Sequence, residues 1–160
     1  MSSKADQPEH PGQLRMELPA AHSAVRMARK VVRQFAETGG LVGDDLETLV
    51  LVTSELLANA VDHGGGQSAF EERDLKEPVR MLLELEFENE GWRLAVSDQG
   101  AGDPAQLETL LHPTGPPDLD DERGRGFFLL TTMVDSLTVA RSADGRGLVF
   151  SAVKHHARRA

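Results

Sequence analysis

The sequence of 160 residues contains no cysteine, which excludes disulfide bonds and zinc sites built on thiolates. Basic residues are also scarce. The chain has 17 lysines and arginines against 26 acidic residues, which gives a net charge of −9. Because proteins that follow the phosphates of nucleic acids need a basic face, this balance argues against direct binding of nucleic acid.

Long hydrophobic runs are missing as well. No apolar run approaches the roughly 18 residues of a membrane span, and the polar start MSSKADQPEHPGQ lacks the apolar core of a signal peptide. We therefore expect a cytoplasmic protein that does not enter the membrane. The 39% of hydrophobic residues suffice for one core. The composition predicts a disordered lead over 1–12, one domain over 13–154 and a basic tail over 155–160.

Several short segments alternate apolar and polar residues, as is typical of strands with one buried face. They lie at 13–18, on both sides of the turn ENEG, and on both sides of SADGRG. Apolar residues recur at helical spacing over 20–40, 44–63 and 126–137, and more briefly in PAQLETLLH. The pattern predicts a two-layer α+β sandwich, with a mixed, mostly antiparallel sheet and its helices on one face.

A stripe of polar residues follows the predicted helix 44–63. Glu55, Asn59 and Asp62 lie opposite its apolar face, and hydrophobic residues flank them on both sides. A polar stripe ordinarily faces solvent, but one enclosed by hydrophobic residues favours a cavity. A carboxylate and an amide oxygen suit Mg²⁺, which shares its coordination shell with phosphates.

The carboxylate of Asp98 follows the alternating strand GWRLAVS on its apolar side. Because an isolated buried carboxylate is costly, Asp98 either caps a turn just past the strand or faces a pocket that holds a polar ligand. The glycines of DQGAG free the backbone beside it. The segment RGRG opens the predicted last helix, whose first amides are suited to bind an anion.

Three motifs, ELLANAVDH, DQGAG and GRGFFLL, resemble in order and approximate spacing the three boxes of the GHKL, or Bergerat-fold, ATP-binding superfamily. Over residues 14–153 the chain is most similar to the stand-alone bacterial anti-sigma-factor serine/threonine kinases. The resemblance implies the histidine kinase-like ATPase fold, with ATP and Mg²⁺ as ligands. It also implies a sigma factor and an anti-anti-sigma protein of the STAS type as partners, and a homodimer.

The resemblance assigns roles to the matching residues. Glu55 would be the general base toward an attacking hydroxyl, Asn59 would ligate Mg²⁺, and Asp98 would accept a hydrogen bond from the adenine amine. The other predicted site residues are Gly100 and Gly102 as hinges of the loop over the nucleotide, Gly124 and Gly126, which would let backbone amides approach the phosphates, and Arg123, Arg125 and His63 beside the phosphates. For His63 the sequence leaves a second interpretation, contact with the last carbonyls of its helix.

Two other functions fit the same motifs. One is a regulatory module in which ATP only sets the conformation. The other is the catalytic fragment of a sensor histidine kinase, which would require a phosphoacceptor helix pair on a separate chain. A P-loop site is excluded, because the sequence has no Gly-x-x-x-x-Gly-Lys-Ser/Thr motif. No role follows from the sequence for the segment 64–78.

Overall fold

The computed structural model describes residues 12–65, 68–100, 102–111 and 122–155. The strands are β1 (Gln13–Pro19), β2 (Arg80–Glu88), β3 (Gly91–Ser97), β4 (Ser136–Arg141) and β5 (Leu148–His155). The helices are α1 (His22–Thr38), α2 (Gly43–His63), α3 (Pro104–Leu111) and α4 (Glu122–Met133), with a 3₁₀ turn at Glu72–Asp74. The predicted lead up to residue 11 and the tail from residue 156 lie outside the described residues.

The five strands form one sheet in the order β1-β2-β3-β5-β4, and every neighbouring pair among the described strands is antiparallel. Its inner face is apolar because alternate residues point to the same side. Leu83 pairs with Val96, Val96 with Phe150, and Phe150 with Val139, so one buried row crosses four strands. The helices cover this face, which confirms the predicted two-layer α+β sandwich.

Helix α2 lies at the centre of the helical layer. It is buried over a wide arc, and its buried residues are Leu46, Leu49, Val50, Val52, Thr53, Leu56, Leu57, Ala60 and Val61. The arc is wide because α2 packs against α1, α4 and strand β3. Arg33 of α1 donates two hydrogen bonds, of 2.7 and 3.0 Å, to the carboxylate of Glu47. This pairing holds the pKa of Glu47 below its ordinary value.

The last helix differs from its prediction at both ends. It spans Glu122–Met133 rather than 126–137, and the RGRG segment, which was predicted to open the helix, directly follows its first residue. The glycines of RGRG are tolerated in the helix because the next residue, Phe127, anchors this part of the chain to the sheet. Its ring stacks on Phe150 at 5.6 Å between centroids. At the other end, the amide of Asp135 donates to the carbonyl of Val153, and the chain enters β4.

The end of β5 and the type of sheet also differ slightly from the prediction. Strand β5 continues to His155, which pairs with Gly91, so the sheet extends one residue past the predicted domain end. The sheet is also antiparallel throughout the described strands, not mixed. Among the helices that the structure describes, none combines the length and the hydropathy needed to cross a membrane.

Candidate functional site

A cavity of about 310 Å³ lies between helices α2 and α4. Its lining residues are Glu55, Ala58, Asn59, Asp62, His63 and Ser68 on one side and Gly126, Phe127 and Leu130 on the other. The predicted polar stripe of α2 therefore faces a cavity rather than open solvent. Residues four apart lie one above the other on a helix, which places Glu55, Asn59 and His63 in one row along the wall.

Helix α4 leaves room beside the carboxylate of Glu55. A Cβ atom built on Gly126 would lie 3.9 Å from Glu55 Oε2, and, apart from neighbouring atoms of its own helix, no other atom of the described residues lies within 4 Å of it. Gly126 is in the second turn of α4, where amides bond to carbonyls four residues earlier in the helix. The predicted role of Gly126, to let backbone amides approach the phosphates, stays a prediction. In this structure Gly126 contributes a missing side chain, which keeps the space next to Glu55 open.

Asp98 follows the last residue of β3 and is only 5% exposed. Its Oδ1 atom accepts hydrogen bonds from the amide of Gly100 at 2.9 Å and from the amide of Leu148 at 3.1 Å. Asp98 thus caps the turn after its strand and ties that turn to β5, and it also lines a separate cavity of about 450 Å³. Its contact with a ligand stays a prediction. Asp98 is not among the described residues that line the cavity at Asn59.

Gly64 lies between the Asp98 turn and the end of α2 that lines the cavity. A Cβ atom at this position would lie 2.5 Å from Asp98 Oδ2 and 2.7 Å from the carbonyl oxygen of Ala60. The absence of a side chain thus lets the Asp98 carboxylate lie against the end of α2, one residue after His63. Gly64 was not among the predicted site residues. The signal that could have revealed it is its position directly after the first motif.

The two glycines of the DQGAG motif are also close to their neighbours. A Cβ on Gly100 would lie 2.9 Å from the Cα of Gly64, and one on Gly102 would lie 3.0 Å from a methyl carbon of Leu148. Gly100 therefore requires glycine for packing, since its contact is with backbone, whereas a side chain at Gly102 would require the Leu148 side chain to shift. Their predicted action as hinges stays a prediction.

The remaining predicted contacts lie on α4. Arg123 and Gly124 fall in its first turn, where amides have no partner within the helix. Arg125 is exposed and is not among the described residues that line the cavity. Their predicted contacts with phosphates stay predictions.

Asp62 joins three parts of the chain at the rim of the cavity. Its Oδ1 atom lies 2.9 Å from His22 Nε2 of α1 and accepts a hydrogen bond of 2.9 Å from the hydroxyl of Ser68. Ser68 has a positive φ of 57°, an uncommon conformation for a side-chain-bearing residue. The segment after α2, to which the sequence assigned no role, is therefore fastened to both helices and supplies part of the cavity wall.

We expect the Asp62 contacts to stabilise the fold measurably. Asp62→Ala should lower the free energy of unfolding by about 0.5–1.5 kcal/mol, the usual net contribution of a hydrogen bond. A double-mutant cycle with His22→Ala in urea checks this, because residues in contact show non-additive effects. Additive changes in the cycle would show that the His22 contact contributes nothing to stability.

The donor atoms of the cavity fit a metal ion that is shared with phosphates. Glu55 and Asn59 offer one carboxylate and one amide oxygen on the same wall. Among the described residues, no group of three or more histidine, aspartate or glutamate side chains is placed to hold a metal ion. Such a sparse set suits Mg²⁺, which keeps waters and substrate phosphates as ligands, better than a metal held by protein alone.

Comparisons with known proteins agree with the fold. Residues 18–152 match the family model of the histidine kinase-like ATPase domain. The serine-protein kinase RsbW of Staphylococcus aureus (strain MRSA252) is 27% identical over 148 residues, which cover 89% of this chain and 86% of the relative.

Two solved structures share the fold. The crystal structure of the RsbU and RsbW domains of Rv1364c from Mycobacterium tuberculosis has a TM-score of 0.57 at 19% identity and matches 92% of this chain. This chain spans only 33% of that one. In the SiaB–SiaC complex from Pseudomonas aeruginosa the matching chain has a TM-score of 0.61 at 13% identity, with 88% and 89% of the two chains covered.

Proposed function

Because the chain belongs to the histidine kinase-like ATPase domain family, we propose that it is an ATP-dependent serine/threonine-protein kinase that also acts as an anti-sigma factor. The observation that carries the proposal is the cavity in which Glu55 and Asn59 share one wall. Its substrate is an anti-anti-sigma protein of the STAS type, and its second partner is a sigma factor. The protein acts in the cytoplasm.

Phosphotransfer in such a site depends on positioning and on charge. The carboxylate of Glu55 accepts the proton of the partner's serine or threonine hydroxyl, so that the oxygen can form a bond to the γ-phosphorus while the bond to ADP breaks. Asn59, four residues on, contacts the phosphate end of ATP. The space beside Gly126 admits the partner's side chain to Glu55.

Asn59 and the phosphates would hold Mg²⁺, which neutralises phosphate charge when it is bound. The adenine end of ATP lies at the Asp98 carboxylate, beyond the end of α2. Gly64 and Gly100 lie between the two ends of the nucleotide site, and the absence of side chains at both positions lets the Asp98 carboxylate lie against the end of α2. Arg123 and Gly124, in the first turn of α4, complete the contacts with the phosphates.

Two measurements test the proposal. Calorimetric titration with ATP and ADP, with and without Mg²⁺, should show binding that strengthens with the metal. Incubation with candidate STAS-type proteins and γ-labelled ATP should then transfer label to one of them. Nucleotide binding without transfer, together with partner affinity that depends on the nucleotide, would instead favour the regulatory module. Absence of nucleotide binding would overturn both functions.

A further inference from the structure

One residue on the wall of the cavity at Glu55 is itself a serine. Among the described residues that line this cavity, Ser68 alone carries a hydroxyl group. Ser68 is exposed, so a ligand that enters the cavity can reach its Oγ atom. A serine hydroxyl is also the group that the proposed function phosphorylates on a partner protein. The chain therefore presents an acceptor of the same chemistry beside its own proposed general base.

Ser68 is held against the helices at a defined position. Its amide donates a hydrogen bond of 3.1 Å to the carbonyl of Val61 in α2. The carbonyl of the next residue, Ala69, accepts a hydrogen bond of 2.9 Å from the amide of His22 at the start of α1. A group that is already fixed beside a bound reactant loses little further freedom when it reacts. These bonds therefore favour a reaction at the Ser68 hydroxyl.

The backbone of Ser68 has a conformation that glycine adopts more readily. Its φ angle is 57°, in the left-handed region, where a glycine would cost no steric strain. Three glycines stand nearby at 64–66, yet this position has a side chain. Conformations of this kind are concentrated at functional sites, where surrounding contacts maintain them. At Ser68 the strain accompanies a hydroxyl group on the cavity wall.

The carboxylate of Asp62 is placed to take the proton of this hydroxyl. Ser68 Oγ donates to Asp62 Oδ1 at 2.9 Å, which is within the reach of a general base. His22 Nε2 contacts the same oxygen at 2.9 Å and so fixes the orientation of the carboxylate. Asn59, which contacts the phosphate end of ATP in the proposed function, lies three residues before Asp62 and therefore on the same side of α2.

Other hydroxyl groups of the two helices beside the cavity do not meet these conditions. The Thr53 hydroxyl is buried and donates to the carbonyl of Leu49 within α2. The Thr131 hydroxyl likewise donates to a carbonyl of its own helix, α4. Ser54 is not among the described residues that line the cavity. Among the described residues, Ser68 is thus the hydroxyl that combines a place in the cavity with a carboxylate as proton acceptor.

We propose that the chain phosphorylates its own Ser68 in an intramolecular reaction. Ser68 Oγ forms a bond to the γ-phosphorus of ATP while the bond from that phosphorus to the bridging oxygen of ADP breaks. The hydroxyl proton passes to the Asp62 carboxylate, and the products are ADP and phosphoserine. The inference rests on the proposed function, since it uses the same bound ATP, but the reaction requires no partner protein.

The test incubates the full chain with γ-labelled ATP and Mg²⁺ in the absence of any partner. Glutamyl endopeptidase, which cuts after glutamate, releases the fragment 56–71, in which Ser68 is the one residue with a hydroxyl side chain. We expect the label in this fragment, with the added mass of one phosphate group. The initial rate per chain should not change with protein concentration, because acceptor and cavity belong to the same chain.

Three variants accompany the parent. Ser68→Ala should lose the label, and Asp62→Asn should acquire it more slowly by a factor on the order of 10²–10⁴, the usual contribution of a general base. The matched control, Ser136→Ala, removes an exposed hydroxyl on β4 and should be labelled as the parent is. Circular dichroism confirms that each variant is folded. The position of the label in the parent does not depend on the folding of any variant.

Three results would overturn the inference while the proposed function stands. They are transfer to the STAS-type partner without label in 56–71, label at another residue instead, or a rate per chain that rises with protein concentration. The last would mean that one chain phosphorylates another. Labelling of Asp62→Asn at the rate of the parent would contradict the role of Asp62 as proton acceptor. Absence of ATP binding in the parent would overturn the inference and the proposed function together.

Discussion

Glu55→Gln is expected to bind ATP as tightly as the parent and to transfer phosphate more slowly by a factor on the order of 10²–10⁴, the usual contribution of a general base. The amide has nearly the shape of the carboxylate but cannot accept the hydroxyl proton. The Gly126 side of the cavity should be undisturbed, because the substitution adds no volume at Oε2. Single-turnover transfer to the STAS-type partner and calorimetry with ATP measure the two effects separately.

The control is Glu86→Gln, an exposed position on β2, which should leave both quantities unchanged. Asp62 is the other carboxylate of the cavity wall, so Asp62→Asn is measured in parallel. Full transfer by Glu55→Gln combined with loss in Asp62→Asn would move the general base to Asp62. Loss of ATP binding in Glu55→Gln would show that Glu55 contacts the nucleotide itself.

Strands and helices could be predicted from the sequence wherever one face is buried. The alternation in Met81, Leu83 and Leu85 predicted a strand with one wet side, and these three residues are buried in the sheet. The polar stripe of α2 was predicted to face a cavity because hydrophobic residues enclose it, and Glu55 and Asn59 line one. In both cases the apolar residues recur with the period of the strand or of the helix, and this recurrence can be seen in a single sequence.

Features that depend on a second element could not be predicted in this way. The last helix was predicted to start at residue 126, whereas it starts at Glu122, and the stacking of Phe127 on Phe150 anchors its beginning to the sheet. Ser68 lies in a segment without periodicity, and its hydrogen bonds to Asp62 and to the carbonyl of Val61 hold it at the cavity.

The role of Asp98 in the fold can be separated from its proposed role in nucleotide binding. Its Oδ1 atom accepts the amides of Gly100 and Leu148 inside the protein. Asp98→Ala removes both acceptors at once. Leaving a buried donor unsatisfied costs about 1–3 kcal/mol, so two of them should lower the free energy of unfolding by about 2–6 kcal/mol. Urea denaturation measures this loss.

The matched control for stability is Asp144→Ala. Asp144 Oδ1 likewise accepts two hydrogen bonds, from the hydroxyl of Ser142 at 2.6 Å and from the amide of Arg146 at 2.9 Å. Its surroundings are exposed, so water can replace the lost acceptor and the stability should fall much less. Equal losses at the two positions would show that burial of the Asp98 turn does not increase its contribution to the free energy of unfolding.

Asp98→Asn separates the second role from the first. The amide oxygen of asparagine can still accept from Gly100 and Leu148, so the fold should persist. The substituted position no longer carries the charged acceptor for the adenine amine, and a hydrogen bond to a charged group contributes about 1.5–3 kcal/mol. ATP affinity should therefore fall by about 10- to 150-fold while the melting temperature changes little. Unchanged affinity by calorimetry would exclude Asp98 from the adenine site and leave it only the turn.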